Sequence, residues 1–179
     1  MEKLIFDVAN STWKWSGSCE INYDAVYDAE TNRTTVTFHE SAFAYFGRNG
    51  YGTSATAAIT ITAADNAGSS GAATLSTYGT TDGGSKSYPG TPSPTAVTVQ
   101  HGDEDGTKSV IVSATATVKA YMTSYATSQT EGTGSGSKTT QSGTRESTTA
   151  RIMINGAAVK ATPHVGRKKA KAYHGRVKM

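Results

Sequence analysis

Residues 19–39, Cys-Glu-Ile-Asn-Tyr-Asp-Ala-Val-Tyr-Asp-Ala-Glu-Thr-Asn-Arg-Thr-Thr-Val-Thr-Phe-His, contain the clearest structural pattern of the chain. Apolar and polar residues alternate in the first part, a period of two that is typical of a β-strand with one buried face. Residues 28–32 supply a polar turn, and residues 33–39 return with Thr and Val, which favour strands. The stretch therefore predicts an antiparallel hairpin. Its alternating apolar residues are Cys19, Ile21, Tyr23 and Ala25.

Further strand patterns follow at regular spacing, separated by segments that Gly and Pro interrupt. Residues 40–51 form an aromatic loop or a short strand, and no window shows a helical period. About seven short strands at this spacing predict an all-β fold, an antiparallel immunoglobulin-like β-sandwich over residues 1–122. The strand patterns beyond the hairpin are residues 55–63, 72–78, 96–101 and 108–121.

The composition excludes several classes of protein. Apolar residues make up 36% of the chain and Leu occurs only at Leu4 and Leu75, which disfavours a helical enzyme. Cys19 is the only cysteine, so neither an internal disulfide nor a Cys-based zinc site is possible. The apolar run at the start ends after three residues, and no stretch is long enough to cross a bilayer. We therefore expect a protein made in a cytoplasm, with no membrane partner.

The last third of the chain changes character twice. Residues 123–150 are rich in Ser, Thr and Gly, a composition typical of a linker. Thr favours strands, however, so an edge segment paired with the sandwich or with a neighbouring subunit stays open as an alternative. Residues 151–179 contain Asn155-Gly156, a favoured hairpin turn, and a degenerate second copy at 165–174. They predict a C-terminal extension of short β-hairpins, and we expect residues 123–179 to make contacts between subunits.

Charge divides the chain into an acidic body and a basic end. Residues 151–179 hold eight of the 17 basic residues and no acidic residue, which leaves the body nine basic and 14 acidic residues, a balance of −5. Such polarity favours pairing between copies of the chain. Phosphate binding is the less favoured alternative, because the end offers one aromatic for stacking. The predicted assembly residues are Arg151, Lys160, Arg167, Lys168, Lys169 and Lys171.

Two segments resemble a known group of proteins. Residues 101–110, His-Gly-Asp-Glu-Asp-Gly-Thr-Lys-Ser-Val, and residues 154–163, Ile-Asn-Gly-Ala-Ala-Val-Lys-Ala-Thr-Pro, are similar to motifs of minor structural and tail-tip proteins of long-tailed bacteriophages of Gram-positive hosts. The first segment is one residue longer before its Gly than the family motif, and the second lacks the family's usual aromatic. The resemblance implies a virion component, made in the host cytoplasm, with copies of itself and other virion proteins as partners.

Candidate sites for chemistry are few. Asp103 and Asp105 are part of a pattern that resembles a calcium loop, but no acidic residue follows to close it, so a plain turn is favoured over a metal site. None of the four histidines lies in a nucleophile or metalloprotease motif, and there is no phosphate loop. We therefore predict a protein that is not an enzyme and that has no catalytic residue and no cofactor.

Exposed aromatics give the alternative function. Trp13 and Trp15 lie on one face of a strand, and with Tyr45 and Tyr51 they could stack on sugar rings. Burial at the edge of the core is the favoured interpretation, because a small sandwich has few other large residues. The leading prediction is a non-enzymatic, self-assembling structural protein of a bacteriophage tail or surface fibre. A carbohydrate-binding module that adheres to the host cell surface is the alternative.

Overall fold

The computed structural model shows an all-β protein with two compact units, Met1–Arg145 and Glu146–Met179. It describes residues 1–9, 15–47, 51–66, 68, 70–80, 84–122, 129–146, 150–154 and 157–161, and no helix occurs among them. The strands are β1 (Glu2–Ala9), β2 (Trp15–Asp28), β3 (Arg33–Phe38), β4 (Ser41–Gly47), β5 (Tyr51–Ala64), β6 (Ser70–Thr80), β7 (Gly84–Gly90), β8 (Ala96–Gln100), β9 (Gly106–Met122), β10 (Gln129–Arg145), β11 (Ala150–Ile154) and β12 (Ala157–Ala161).

The first ten strands form one continuous sheet in the order β6-β5-β9-β10-β1-β2-β3-β8, with β4 on β2 and β7 on β4. All of their pairings are antiparallel. The long strand β2 pairs with β1 along one edge and, along the other, first with β4 and then with β3. The predicted antiparallel all-β fold is confirmed.

The sheet nearly closes into a barrel. Thr74 of β6 and Ser93, which precedes β8, exchange two backbone hydrogen bonds of 2.8 Å, so the two ends of the strand order meet at this bridge. The immunoglobulin-like two-sheet sandwich is not confirmed. Strand β2 pairs with β1, β4 and β3, so the ten strands form one continuous sheet instead of two separate ones. Period-two alternation has the same form in a sandwich and in a barrel, since both bury one face of each strand.

Large and small side chains fill different sides of the interior. Phe6, Trp15, Tyr23, Phe38 and Phe43 are buried on β1 to β4. The facing strands β5 and β9 bury mainly Ala, Val and Ile. Alternating large and small side chains is how a small barrel fills its interior at native density. The interior is therefore a packed core.

The segment with the composition of a linker is strand β10, which pairs with β9 along its whole length. Glycines stand at its inward positions because β1 passes close to them. A Cβ at Gly136 would lie 2.8 Å from Cβ of Phe6, and one at Gly134 would collide with the backbone oxygen of Asp7. Of the two interpretations left open, pairing with the sheet holds for Gln129–Arg145, although the strand lies between β9 and β1 instead of at an edge, and the first unit extends to Arg145 instead of ending at residue 122. The strand therefore pairs within the chain, with β9 throughout and with β1 at Thr133 and Ala9.

The second unit contains an antiparallel pair, β11 with β12. Residues 155–156 between them, and the predicted second repeat at 165–174, lie outside the described residues.

Candidate functional site

The loop end of the sheet, formed by the β2–β3 turn (29–32) and the β8–β9 loop (101–105), carries the densest polar network of the first unit. The turn begins at Asp28, whose carboxylate accepts hydrogen bonds from Thr31 Oγ1 at 2.7 Å and from the Glu30 amide at 2.9 Å. These bonds lower the pKa of Asp28, the Thr31 hydroxyl contributing most. Such an Asx turn fixes a hairpin locally.

Asn32 ties the turn to the loop. Its side chain is buried, and its Nδ2 donates to the carbonyl oxygens of His101 and Gly102 at 3.0 Å each. Its Oδ1 accepts from the Tyr27 hydroxyl at 2.9 Å, and its backbone oxygen accepts from the His101 amide at 3.1 Å. Asn32 adopts φ 55°, a left-handed conformation that Asn tolerates better than most residues. One buried amide therefore sets the position of the loop.

His101 lies at the centre of this network. Its Nε2 is 2.7 Å from Thr34 Oγ1, and its Nδ1 is 3.4 Å from a carboxylate oxygen of Asp65. Thr34 Oγ1 is in turn 2.7 Å from Ser142 Oγ. Burial lowers the pKa of His101, Lys108 lowers it further, and Asp65 opposes both. We therefore expect a neutral imidazole at neutral pH.

Asp65, His101 and Thr34 repeat the atom order of an acid, a base and a hydroxyl nucleophile. A nucleophile must reach its substrate, and the side chain of Thr34 is 0% exposed. The arrangement therefore suits a structural network better than acyl transfer. Sequence reasoning identified His101 but missed Asp65 and Thr34, because strand pairing brings together residues far apart in the chain.

Asp103 and Asp105, the residues considered for a metal, lie on the exposed part of the loop. Asp103 forms an ion pair with Arg145 at 2.8 Å, which lowers its pKa. Gly106 follows with φ 108°, the conformation that an Asp-Gly turn requires. In the described part of the chain, no group of three His, Cys, Asp or Glu residues could hold a metal ion.

The aromatics proposed for sugar stacking do not form an exposed platform. Trp15 is 1% exposed and belongs to the core, so its assignment as a sugar-binding residue is wrong. Tyr45 lies on β4 and Tyr51 begins β5, but their side chains are not among those described. Trp13 lies outside the described residues.

Two of the predicted assembly residues fall on the hairpin of the second unit. Arg151 of β11 and Lys160 of β12 are directly paired in register. Like charges at paired positions disfavour strand pairing. Arg167, Lys168, Lys169 and Lys171 lie outside the part of the chain that the structure describes.

Two further features concern reactivity and membranes. Cys19 is buried in the core, and burial raises the pKa of its thiol to about 12. No helix in the described residues is long and apolar enough to cross a membrane.

Comparisons of this chain with protein-family models, curated proteins and solved structures found no match.

Proposed function

We propose that this protein is a non-enzymatic structural component of a bacteriophage particle, in the tail or a surface fibre. It acts by joining copies of itself and other virion proteins. The observation that carries the proposal is the C-terminal unit, which contains a two-stranded sheet with two cations in paired register. The sequence resemblance to phage tail-tip proteins supports the same role.

A two-stranded hairpin is only marginally stable by itself in water, since three or more strands are needed to build a hydrophobic face. Arg151 and Lys160 add repulsion at paired positions of this hairpin. An anionic partner would remove that repulsion. The C-terminal unit therefore gains stability by docking.

The first unit offers the complementary charge. Several exposed carboxylates on it form no ion pair within the described residues, among them Asp7, Glu30, Glu40 and Glu131. Other surface carboxylates are already matched, as Glu2 is by Lys138 at 2.6 Å. A second copy of the chain thus presents free negative charge to the basic C-terminal unit.

Light scattering coupled to size exclusion tests the proposal on the full chain. We expect oligomers at low salt that dissociate as salt rises, because surface charges are screened beyond about 10 Å at 0.1 M salt. The double variant Arg151→Gln/Lys160→Gln should shift the protein toward monomer. Arg33→Gln/Lys119→Gln removes the same charge from the first unit and should leave the oligomers in place. A folded full-length chain that stays monomeric at all salt concentrations contradicts the proposal.

A further inference from the structure

An open pocket of about 420 Å³ lies beside the His101 network. It is bounded by the β5–β6 loop, the β8–β9 loop and the start of β9. Its lining side chains are almost all hydrogen-bonding groups, and no Phe, Tyr or Trp is among the described ones. Its size falls within the range of small-molecule sites, about 300–1,000 Å³. Three carboxylates, an amide and one lysine are among the lining groups: Asp65, Glu104, Asp105, Asn66 and Lys108.

Lys108 is the unusual member of this lining, because it is a buried cation that contacts carbonyl oxygens and forms no ion pair within the described residues, although the charge of Asp103 acts on it. The residue is 6% exposed, and its Nζ donates to the carbonyl oxygens of Gly102 at 2.8 Å and Glu104 at 2.6 Å. Among the described residues no carboxylate forms an ion pair with it. Buried charges are normally paired, since leaving water is costly for them. An ammonium has three donors, so one remains beyond the two carbonyls.

The exposed members of the lining have the opposite character. Glu104 and Asp105 are exposed carboxylates that accept hydrogen bonds, and Asn66 both donates and accepts. A ligand that satisfies the pocket therefore needs one anionic group for Lys108 and several hydroxyl or N–H donors for the rim. A metal ion does not fit, because the ammonium repels it.

We propose that this pocket binds an acidic sugar, a polyhydroxylated ring that carries one carboxylate. The carboxylate accepts from Lys108 Nζ, and the ring hydroxyls donate to Glu104 and Asp105. Because the contacts are hydrogen bonds without aromatic stacking, we expect a dissociation constant of the order of 1 mM. The proposal is independent of the assembly role, and it uses none of the aromatics that the sequence suggested for sugar binding.

Titration of the isotope-labelled full chain with D-glucuronate, D-glucose and acetate, followed by NMR, tests the proposal. Glucuronate should shift the amide signals of residues 101–109 and saturate, while glucose and acetate should bind at least about tenfold more weakly. Lys108→Met should weaken glucuronate binding by about tenfold or more. Lys119→Met changes an exposed lysine on the same strand and should bind glucuronate like the unaltered protein.

Asp105→Asn gives an independent reading if Lys108→Met fails to fold, since Asp105 is exposed and its replacement leaves the core intact. Asn keeps an acceptor oxygen for the ring hydroxyls but removes a negative charge that opposes the ligand carboxylate, so the ratio of the glucuronate affinity to the glucose affinity should rise by about twofold. Equal binding of glucose and glucuronate, unchanged glucuronate binding in folded Lys108→Met, or an unchanged ratio of the two affinities in Asp105→Asn overturns the proposal. Acetate binding as tight as that of glucuronate overturns the assignment to a sugar.

Discussion

Strands β9 and β10 are neighbours of equal length and opposite composition. Each has 17 residues, and they pair from Tyr121 with Gln129 to Gly106 with Arg145. From Val110 to Ala120, β9 buries an apolar side chain at every second position, whereas β10 places Gly at the inward positions 132, 134 and 136. The inward residues of β9 are Val110, Val112, Ala114, Ala116, Val118 and Ala120.

The difference shows that a strand can contribute space instead of side chains. Gly134 and Gly136 pair with Ala116 and Ala114, so small residues face one another across the two strands. Strand β1 occupies the room they leave, with Phe6 packed against Gly136. Strand β10 therefore belongs to the sheet although it has few apolar side chains. Its backbone pairs with β9, and β1 supplies the apolar side chains that cover its glycines.

The largest effect should come from filling that space. We expect Gly134→Val to destabilise the protein by about 3 kcal/mol, because overpacking forces backbone shifts. A Cβ at this position would collide with the Asp7 oxygen and with Val8. Urea unfolding followed by circular dichroism gives the free energy of unfolding.

Ser135→Val is the matched control for Gly134→Val. Ser135 is the next residue along β10 and is exposed, and Val favours strands. Its free energy of unfolding should change by less than about 0.5 kcal/mol. Equal effects of the two variants would show that β10 does not hold β1 through its glycines.

The converse change truncates a side chain of β9 that fills the core. Val112 is 0% exposed, and Val112→Ala deletes two buried methyl groups at about 0.8 kcal/mol each, plus a cavity term. We expect a loss of about 2 kcal/mol in urea unfolding. Ser113→Ala, on the other face of the same strand, should stay within about 0.5 kcal/mol. A smaller loss for Val112→Ala than for Ser113→Ala would reverse the assigned faces of β9.

The two strands also show how far sequence reasoning reaches. The pattern of β9 is local, because alternating Val and Ala reveal both the strand and its buried face. The pattern of β10 is not local. The requirement for Gly at position 134 comes from β1, whose backbone lies too close to leave room for a side chain. Composition therefore indicated a linker where the structure has a strand in the middle of the sheet.

The same distinction applies to the loop end. His101 and the turn at Asp105-Gly106 were visible in the sequence, since the residues adjoin one another. The partners of His101 come from other strands, Thr34 from β3 and Asp65 from the end of β5, and no local pattern marks them. The burial of Trp15 agrees with the favoured interpretation of the sequence, although a pair of tryptophans on one strand face fits both a core edge and a sugar platform.

One polar side chain of β10 does reach the core. Thr140 Oγ1 lies 2.8 Å from the Tyr23 hydroxyl, and both residues are buried. Tyr23→Phe should cost about 1 kcal/mol in urea unfolding, because Thr140 then lacks its partner. Thr140→Val in the same background should recover part of the loss, since it removes the unsatisfied hydroxyl. Strictly additive losses for the two changes would show that the hydroxyls do not interact.

The smallest effect concerns pH, at the irregularity in the pairing of β10 with β9. Ser142 occupies the irregularity between Gln141 and Gly143 and contacts Thr34, which contacts His101. The charged or titratable groups around the ring are Asp65, Lys108 and Tyr27. Burial lowers the pKa of His101 below 6.5, so below that pH the unfolded chain binds a proton that the folded chain resists. Stability is therefore complete above about pH 6.5 and declines as the pH falls toward the lowered pKa.

Urea unfolding at pH 7.5, 6.5 and 5.5 measures this decline. Asp24 and Asp103 stay ionised at these values, because the hydrogen bonds and charges of their ion pairs lower their pKa. His101→Gln should be less stable than the unaltered protein at pH 7.5, since it loses part of the network, and its stability should vary less between pH 6.5 and 5.5. His39→Gln, which changes a ring that is 39% exposed, should keep the decline. The opposite outcome is that the unaltered protein gains stability on acidification and that His101→Gln abolishes the gain. In that case the attraction between Asp65 and a protonated His101 outweighs the cost of burying the charged ring.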